Sequence, residues 1–345
     1  MALTAPSSSP TWLKTATSHV SRLLTNGQFD TPEALRLHRL DEEQVLRSGS
    51  KPLFLLRDEA GAKYVFKLAD PDLLAAEVAA YELRRLGGKP CVPARLTSVE
   101  LDDLGQVQGL VKPFIEFDPE QELPADTRSW SELQRSVILL EHAWEWFLDN
   151  LDTNTGQYAL IGPEAYPINM DWDRAFATAG RSELSRFAKY KRTLPNARTF
   201  LYADYVEGRI DLNFGLLGAE ASCIAALPEQ QVVEILRDYA WTRYGEADEV
   251  DAFVDRVTAR QRDIQREVQR FVLALKQERK ELRRAGRAGI QGRLLAAKKL
   301  AWNHWQLSLN TIVQGPAGKL GRALLKRARA RALGVPHLRQ RSQPG

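Results

Sequence analysis

Residues 149–176 read DNLDTNTGQYALIGPEAYPINMDWDRAF, a polar, turn-rich stretch between two strongly apolar segments. Asp and Asn are the commonest turn formers, so either acid taken alone indicates only a surface hairpin. The spacing is more specific, because Gln157 follows Asp152 by five residues and Asp171 directly follows the apolar run YPINM. Phosphoryl transfer uses a carboxylate beside the attacking hydroxyl, and carboxylate and amide oxygens that hold Mg²⁺. The stretch is therefore either a plain hairpin or a catalytic loop followed by a metal-binding acid.

A lysine and a glutamate upstream help to decide between these two interpretations. Lys67 ends the β-like run KYVFK, and Glu77 lies in a predicted amphipathic helix over 71–87. A strand lysine that points inward is costly to bury unless it meets a carboxylate, whereas on an edge strand it simply faces solvent. Phosphotransferases use the inward arrangement to grip nucleotide phosphates. The functional interpretation is favoured by the chain order of five residues: Lys67, Glu77, Asp152, Gln157 and Asp171.

Hydrophobic patterning predicts the order of the elements. The runs PLFLL and KYVFKL predict a β-hairpin, ARLTSVEL and QVQGLVKPFIEF predict a second strand pair, and 130–150 predicts a long apolar helix. From about residue 181 the pattern is mostly helical. Helices are predicted at 183–192, 198–206, 209–217, 228–244 and 247–284. The inward face of the helix over 71–87 is predicted from its large apolar residues, Leu73, Leu74, Val78, Tyr81 and Leu86.

The turn before the first strand is a weaker signal. Gly49 and Ser50 lie in the sequence RSGSK, and a short Gly/Ser turn offers backbone N–H groups to phosphate oxygens. The turn lacks the spacing of the P-loop signature, so a plain turn is the alternative.

Charge is distributed unevenly along the chain. Residues 276–345 hold 17 Lys or Arg and 2 Glu, whereas residues 1–275 hold 31 basic and 42 acidic residues. A basic amphipathic segment with Trp and Leu is typical of anionic membrane surfaces, and the same composition binds nucleic-acid phosphates. The alternative is that this basic arm, 276–345, only packs on the acidic body. The two widely separated cysteines and the lack of a long apolar run predict a cytoplasmic protein, with attachment to the inner membrane surface as one use of the arm.

Four segments resemble motifs of a known family in the right order. GSKPLFLLRDEAGAKYVFK, AAEVAAYELRRLGG, FLDNLDTNTGQYAL and INMDWDRAF are similar to motifs of the atypical kinase branch that includes HipA-like and phosphatidylinositol 3-/4-kinase-like proteins. The resemblance covers roughly residues 45–275. It implies a two-lobed, protein-kinase-like α+β fold with a basic helical extension, and it implies ATP and Mg²⁺ as cofactors.

The resemblance also implies a role for each matching residue. Lys67 would bind the α/β-phosphates, Glu77 would hold Lys67, and Asp152 would orient the acceptor hydroxyl. The predicted nucleotide-binding residues are Gly49, Ser50, Lys67, Glu77, Val111 and Phe114, the last two in a hinge VKPF beside adenine. The predicted metal ligands are Gln157, Asp171 and Asp173.

Three departures from the family pattern keep alternatives open. Thr153 and Asn154 replace an Arg and a His, Gln157 replaces a shorter Asn, and Asp173 replaces a Gly. These changes are also compatible with a catalytically degenerate pseudokinase that binds partners through its basic arm. MDWDRAF further resembles the Ile-Asp-Trp-x-x-Ala segment of aminoglycoside and choline phosphotransferases, although Asn150 stands where those enzymes have His. A small-molecule phosphotransferase is therefore a third alternative.

The sequence thus predicts a kinase with an extension. The predicted divisions are a flexible segment and helix at 1–27, an N-lobe at 28–118, a helical C-lobe at 119–275 and the basic arm. The predicted activity is ATP- and Mg²⁺-dependent phosphoryl transfer to a hydroxyl of a protein, a lipid or a small molecule. The sequence leaves the acceptor and the oligomeric state open.

Overall fold

The computed structural model describes residues 10–25, 38–39, 53–58, 61–101, 105–115, 123–124, 126–150, 155–176 and 197–287. The chain divides into two compact units, Met1–Arg279 and Lys280–Gly345, and the described part of the second is the last eight residues of a helix. Several predictions lie outside the described residues: those for Gly49, Ser50, Asp152, Thr153 and Asn154, for the helix at 183–192 and for the arm beyond 287. The lobe boundaries at 118/119 stay a prediction.

The described elements follow the predicted order. The strands are β1 (His38–Arg39), β2 (Leu53–Arg57), β3 (Lys63–Lys67), β4 (Arg95–Leu101), β5 (Gly105–Pro113), β6 (Tyr158–Ile161) and β7 (Tyr166–Asn169). The helices are α1 (Thr11–Thr25), α2 (Pro71–Leu86), α3 (Glu132–Phe147), α4 (Ala197–Val206), α5 (Phe214–Ala225), α6 (Glu229–Tyr244) and α7 (Ala247–Arg287). A small sheet with one helix precedes a mainly helical part, which is the predicted α+β arrangement.

The first five strands form one antiparallel sheet in the order β1-β2-β3-β5-β4. Successive side chains of a strand point to opposite faces. On one face, Phe66 and Val111 pack with Leu56, Tyr64 and Val99. On the other face, Leu110 packs against Leu74 of α2. Lys67 follows Phe66 and therefore lies on the face that α2 covers.

Helix α2 has nearly the predicted bounds and a wider inward face than predicted. It begins at Pro71 and ends at Leu86, with Gly87 as its C-cap. Of the apolar residues predicted to point inward, Leu74 is buried, and Val78 and Tyr81 are partly buried and packed against the same core. The buried face also carries small alanines together with Glu77, Leu83 and Arg84. Alanines allow a close approach of the helix, and the two charged residues are buried because each has an ionic partner.

The helical part begins with α3, whose start is fixed by a capping box. The Ser131 side chain accepts a hydrogen bond from the Gln134 backbone N–H, and the Gln134 side chain accepts one from the Ser131 N–H. The helix predicted at 209–217 is present with different bounds, because α5 begins only at Phe214 and continues to Ala225. Asn213 caps it by accepting a hydrogen bond from the Gly215 N–H at 3.1 Å, and a capping Asn marks the point where a helix starts.

Strands β6 and β7 form the predicted hairpin within residues 149–176. Tyr158 pairs with Asn169 and Ile161 with Tyr166. Behind the hairpin, α1 packs Leu13, Ala16, Val20 and Leu24 into a core that includes Ala159, Ile161 and Ile168. No helix among the described residues is long and apolar enough to cross a membrane.

Candidate active site

The centre of the site is an ion pair between the sheet and α2. Lys67 is the last residue of β3, and its ammonium group donates a hydrogen bond to Glu77 Oε2 at 3.0 Å. The side chain of Lys67 is 7% exposed and that of Glu77 is 2% exposed. The pair is therefore buried, and each partner compensates the charge that burial would otherwise make costly.

Two acids beyond the β6–β7 hairpin reach the same ammonium group. Lys67 Nζ lies 2.9 Å from Asp171 Oδ1 and 2.8 Å from Asp173 Oδ2. The Asp173 side chain is 4% exposed, but that of Asp171 is 38% exposed. Of the three carboxylates around Lys67, Asp171 is thus the one that faces open space and is accessible to a ligand.

The hairpin and one asparagine fix the position of Asp171. The Met170 N–H donates to the Gln157 carbonyl at 2.9 Å, so Gln157 lies directly across the hairpin from the residue before Asp171. Asn169 Oδ1 accepts a hydrogen bond from the Asp171 N–H at 3.0 Å, and Asp171 Oδ1 accepts one from the Asp173 N–H at 3.2 Å. Side chains of Asn and Asp that bind the backbone two residues on hold a tight turn, and here the turn presents both acids to Lys67.

The stretch 149–176 begins and ends at adjacent points of the fold. The Phe176 N–H donates to the carbonyl of Leu148, the residue before Asp149, at 2.6 Å. Asp149 and Phe176 both have left-handed backbones, with φ values of 53° and 60°. Such conformations are unfavourable for non-glycine residues and are held by their surroundings, often at functional sites. The stretch therefore forms a loop that leaves the end of α3 and returns to it, and this loop contains the hairpin and both acids.

Burial and charge act against each other on the two central groups. Burial alone would lower the pKa of Lys67, but Glu77, Asp171 and Asp173 outweigh it and raise the pKa above its ordinary value. Burial alone would raise the pKa of Asp171, but the ammonium groups of Lys67 and Lys112 outweigh it and lower the pKa. Both groups are consequently charged at neutral pH.

These directions predict how the stability of the folded chain depends on pH. Because the pKa of Asp171 is lowered in the folded chain, its contribution is present above about pH 4 and is lost as the pH falls through the folded value. Because the pKa of Lys67 is raised, its contribution is present below about pH 10.5 and is lost as the pH rises through the folded value. Scanning calorimetry should therefore show that the difference in Tm between the unmodified chain and Asp171→Asn is constant from about pH 5 to 8 and narrows below about pH 4. A difference that does not change with pH would contradict the ionic role of Asp171.

The Gln157 and Asp171 side chains carry the oxygen atoms that a divalent cation binds. Gln157 Oε1 is buried and has no hydrogen-bond donor among the described residues. A buried acceptor without a donor is unfavourable, and an amide oxygen is a ligand that Mg²⁺ accepts together with carboxylates. The residues that would hold Mg²⁺ are the predicted ligands Gln157, Asp171 and Asp173. Among the described residues there is no group of three or more His, Cys, Asp or Glu side chains with the arrangement of a metal site.

Lys112 is a second lysine of the site that the sequence interpretation placed only in the hinge. Its ammonium group contacts Glu77 Oε1 and donates a hydrogen bond to the Met170 carbonyl at 2.7 Å. The signal for it was the register of the sheet: Lys112 pairs with Val65, two residues from Lys67, so both lysines point to the same face. Lys67 and Lys112 are 45 residues apart in the sequence, so local patterning does not reveal that their strands pair in this register.

The remaining predicted nucleotide-binding residues lie away from this cluster or outside the described chain. Val111 is buried on the opposite face of the sheet, with Phe66 and Val99. Phe114 follows the end of β5, where its N–H donates to the Lys63 carbonyl at 2.9 Å and the centre of its ring lies 5.6 Å from Lys63 Nζ. Their contacts with a nucleotide stay predictions. The roles of Gly49, Ser50 and Asp152 also stay predictions, because these residues are not described.

A buried arginine that sequence interpretation missed joins α2 to the site. Arg84 is 1% exposed, and its guanidinium donates two hydrogen bonds of 2.8 Å to the Glu141 carboxylate on α3. The guanidinium also lies 4.5 Å from the ring centre of Trp172, which stands between Asp171 and Asp173. Arg84 follows Glu77 by seven residues, so both lie on one face of α2. Through this contact with Trp172, α2, which carries Glu77, packs against the segment that carries Asp171 and Asp173.

The chain is similar to several solved structures at low sequence identity. No protein-family model and no curated protein matches the sequence. Among solved structures, the chain is similar to the proinflammatory kinase CtkA of Helicobacter pylori, with 11% identity, 70% of this chain and 97% of that chain covered, and a TM-score of 0.45. It is also similar to HipA of Shewanella oneidensis MR-1, solved with HipB and operator DNA, with 13% identity, 67% and 68% coverage and a TM-score of 0.38.

A third similar structure is the Rio2 kinase of Chaetomium thermophilum, solved as an ADP/Mg²⁺-phosphoaspartate complex, with 11% identity, 75% and 76% coverage and a TM-score of 0.31. The sequence motifs resemble the branch to which HipA belongs, and HipA is among these similar structures. At these identities and scores, activity and substrate have to be argued from the residues of this chain.

Proposed function

We propose that this chain is a phosphotransferase that uses ATP and Mg²⁺ to transfer a phosphoryl group to a hydroxyl. The observation that carries the proposal is the convergence of Lys67, Glu77, Asp171 and Asp173 from three separate elements on one buried ammonium group. A lysine and an acid held in this way form a phosphate-binding and metal-binding pair. A purely structural ion pair does not need two further acids, one of which faces open space.

In phosphoryl transfer, the protein mainly positions the reacting groups and compensates their charge. Lys67 would bind phosphate oxygens, and Glu77 keeps its ammonium group aimed into the site. Asp171 and Gln157 would hold Mg²⁺, which when bound neutralises the phosphate charge. Asp152 is proposed to accept a hydrogen bond from the acceptor hydroxyl and so to align it. No covalent intermediate on the protein is needed.

The test is direct measurement of binding and turnover with the purified full chain. We expect isothermal titration calorimetry to show ATP binding that Mg²⁺ strengthens, and we expect a coupled assay to show Mg²⁺-dependent release of ADP. Addition of EDTA should abolish turnover. Absence of any nucleotide binding at millimolar ATP and Mg²⁺ would contradict the proposal.

A second candidate function is that of a pseudokinase that binds nucleotide without turnover. The observation that favours it is the position of Lys67 between Asp171 and Asp173, where its ammonium group neutralises the two carboxylates in place of a metal ion. Gln157 is also one methylene longer than the Asn of the family pattern. Nucleotide binding that is indifferent to Mg²⁺, together with no ADP release, would favour this candidate.

The acceptor and the partner of the basic arm belong to the same proposal. A protein, a lipid head group or a small molecule could supply the hydroxyl. Residues 276–345 are proposed to bring the chain to an anionic membrane surface or to nucleic acid, in keeping with their 17 basic residues. Either use would determine which acceptors the site meets.

A further inference from the structure

Lys112 gives the site a second fixed cation on the same carboxylate. The Glu77 carboxylate accepts from Lys67 on Oε2 at 3.0 Å and contacts Lys112 through Oε1. The Lys112 side chain is 12% exposed, so this second contact is also largely buried. Each oxygen of Glu77 therefore has its own lysine.

The two lysines differ in how many partners they have. Lys67 is shared among Glu77, Asp171 and Asp173 within 3.0 Å. Lys112 contacts Glu77 and donates a hydrogen bond to a neutral carbonyl, that of Met170, at 2.7 Å. It also lowers the pKa of Asp171 through its charge. A carbonyl does not compete for the charge of an ammonium group as a carboxylate does. Lys112 is thus the steadier counter-ion of Glu77, and Lys67 is the one with alternative partners.

This difference matters when a phosphate enters the site. Lys67 can bind phosphate oxygens only by weakening its contacts with the carboxylates around it. Glu77 is 2% exposed, and a carboxylate that loses its sole cation in such a place is strongly unfavourable. With Lys112 in place, Glu77 keeps a cation when Lys67 turns towards a phosphate.

We propose that Lys112 is a positioning residue that neutralises Glu77 and thereby allows Lys67 to exchange a carboxylate for the phosphates of the nucleotide. The contact with the Met170 carbonyl adds a second effect, since Met170 immediately precedes Asp171. Lys112 thus ties β5, α2 and the turn that carries Asp171 together. The inference rests on the proposed function, because it assumes that Lys67 binds phosphate.

The test is a double-mutant cycle between Lys112 and Glu77 with nucleotide affinity as the readout. Lys112→Met is expected to weaken Mg²⁺-ATP binding by about ten-fold or more, because Lys67 is then the sole cation on Glu77. Lys112→Arg, which keeps the charge, should retain most of the affinity. In the double variant Lys112→Met/Glu77→Gln, residue 77 carries no charge that Lys67 alone must compensate, so binding should recover relative to Lys112→Met. Lys14→Met on α1, an exposed lysine, is the matched control and should bind as the unmodified chain does.

Thermal unfolding of the same variants without nucleotide separates this inference from the proposed function. Lys112→Met and Glu77→Gln should each lower Tm, and the double variant should lower it by less than the two together. Additive shifts in Tm would overturn the pairing whether or not nucleotide binds. Tighter nucleotide binding by Lys112→Met would show that Lys112 obstructs the site and would overturn its positioning role. If the unmodified chain binds no nucleotide, the proposed function fails. The role of Lys112 in releasing Lys67 then fails too, even if the Tm values of the variants show coupling between Lys112 and Glu77.

Discussion

Asp171→Asn is expected to lower Mg²⁺-dependent ATP turnover by about 10²–10³-fold or more, an effect typical of removing a charge that stabilises the transition state. Asp171 is the exposed member of the three acids around Lys67, and it follows Met170, whose N–H donates to the Gln157 carbonyl. The substitution keeps the shape of the side chain and an oxygen that can accept from the Asp173 N–H. It removes the negative charge that a divalent cation requires.

The binding signature of this variant is as informative as its turnover. Lys67 keeps Glu77 and Asp173 as partners, so Asp171→Asn should fold and should still bind ATP without Mg²⁺. The strengthening of ATP binding by Mg²⁺, measured by calorimetry, should be lost. The matched control is Asp251→Asn, which removes a carboxylate from an exposed ion pair with Arg237 and should change neither quantity. Equal turnover by Asp171→Asn and the unmodified chain would show that Asp171 does not hold the metal.

Local patterns were sufficient to predict the central pair of this site. Lys67 and Glu77 are ten residues apart, and the strand, the turn and the amphipathic helix that place them are each encoded by neighbouring residues. The hairpin before Asp171 is likewise local, since β6 and β7 are joined by a short turn. A short, strongly patterned segment specifies both an element and the residues at its ends.

Long-range pairing and buried charge account for what the sequence did not reveal. The prediction for α2 assumed that large apolar side chains define the buried face, yet Glu77 and Arg84 lie there because their partners come from other elements. Lys112 was assigned by its place in the chain as part of a hinge, whereas its direction depends on the register of β5 against β3. A charged residue looks like a surface residue until its partner is known, and Glu141 lies 57 residues from Arg84.

Arg84→Met is expected to destabilise the fold by about 3–5 kcal/mol, because it leaves Glu141 as a buried carboxylate without its cation. The Glu141 side chain is 8% exposed, and both of its oxygens accept from Arg84 at 2.8 Å. The Pro90 carbonyl, which accepts from the same guanidinium at 3.0 Å, also loses its donor. Urea unfolding followed by circular dichroism measures the loss.

Two further variants distinguish lost charge compensation from lost packing at Arg84. Arg84→Met/Glu141→Leu removes both charges and should recover much of the stability, since apolar pairs often replace buried ion pairs at little cost. Arg85→Met changes the next residue on α2, whose pair with Glu82 is exposed, and should cost at most about 1 kcal/mol. Equal losses for Arg84→Met and Arg85→Met would contradict the buried role of Arg84. Arg84 also contacts Trp172, which lies between Asp171 and Asp173. The double variant loses this contact between α2 and the segment that carries the two acids. It should therefore bind Mg²⁺-ATP more weakly than the unmodified chain, even where its stability is restored.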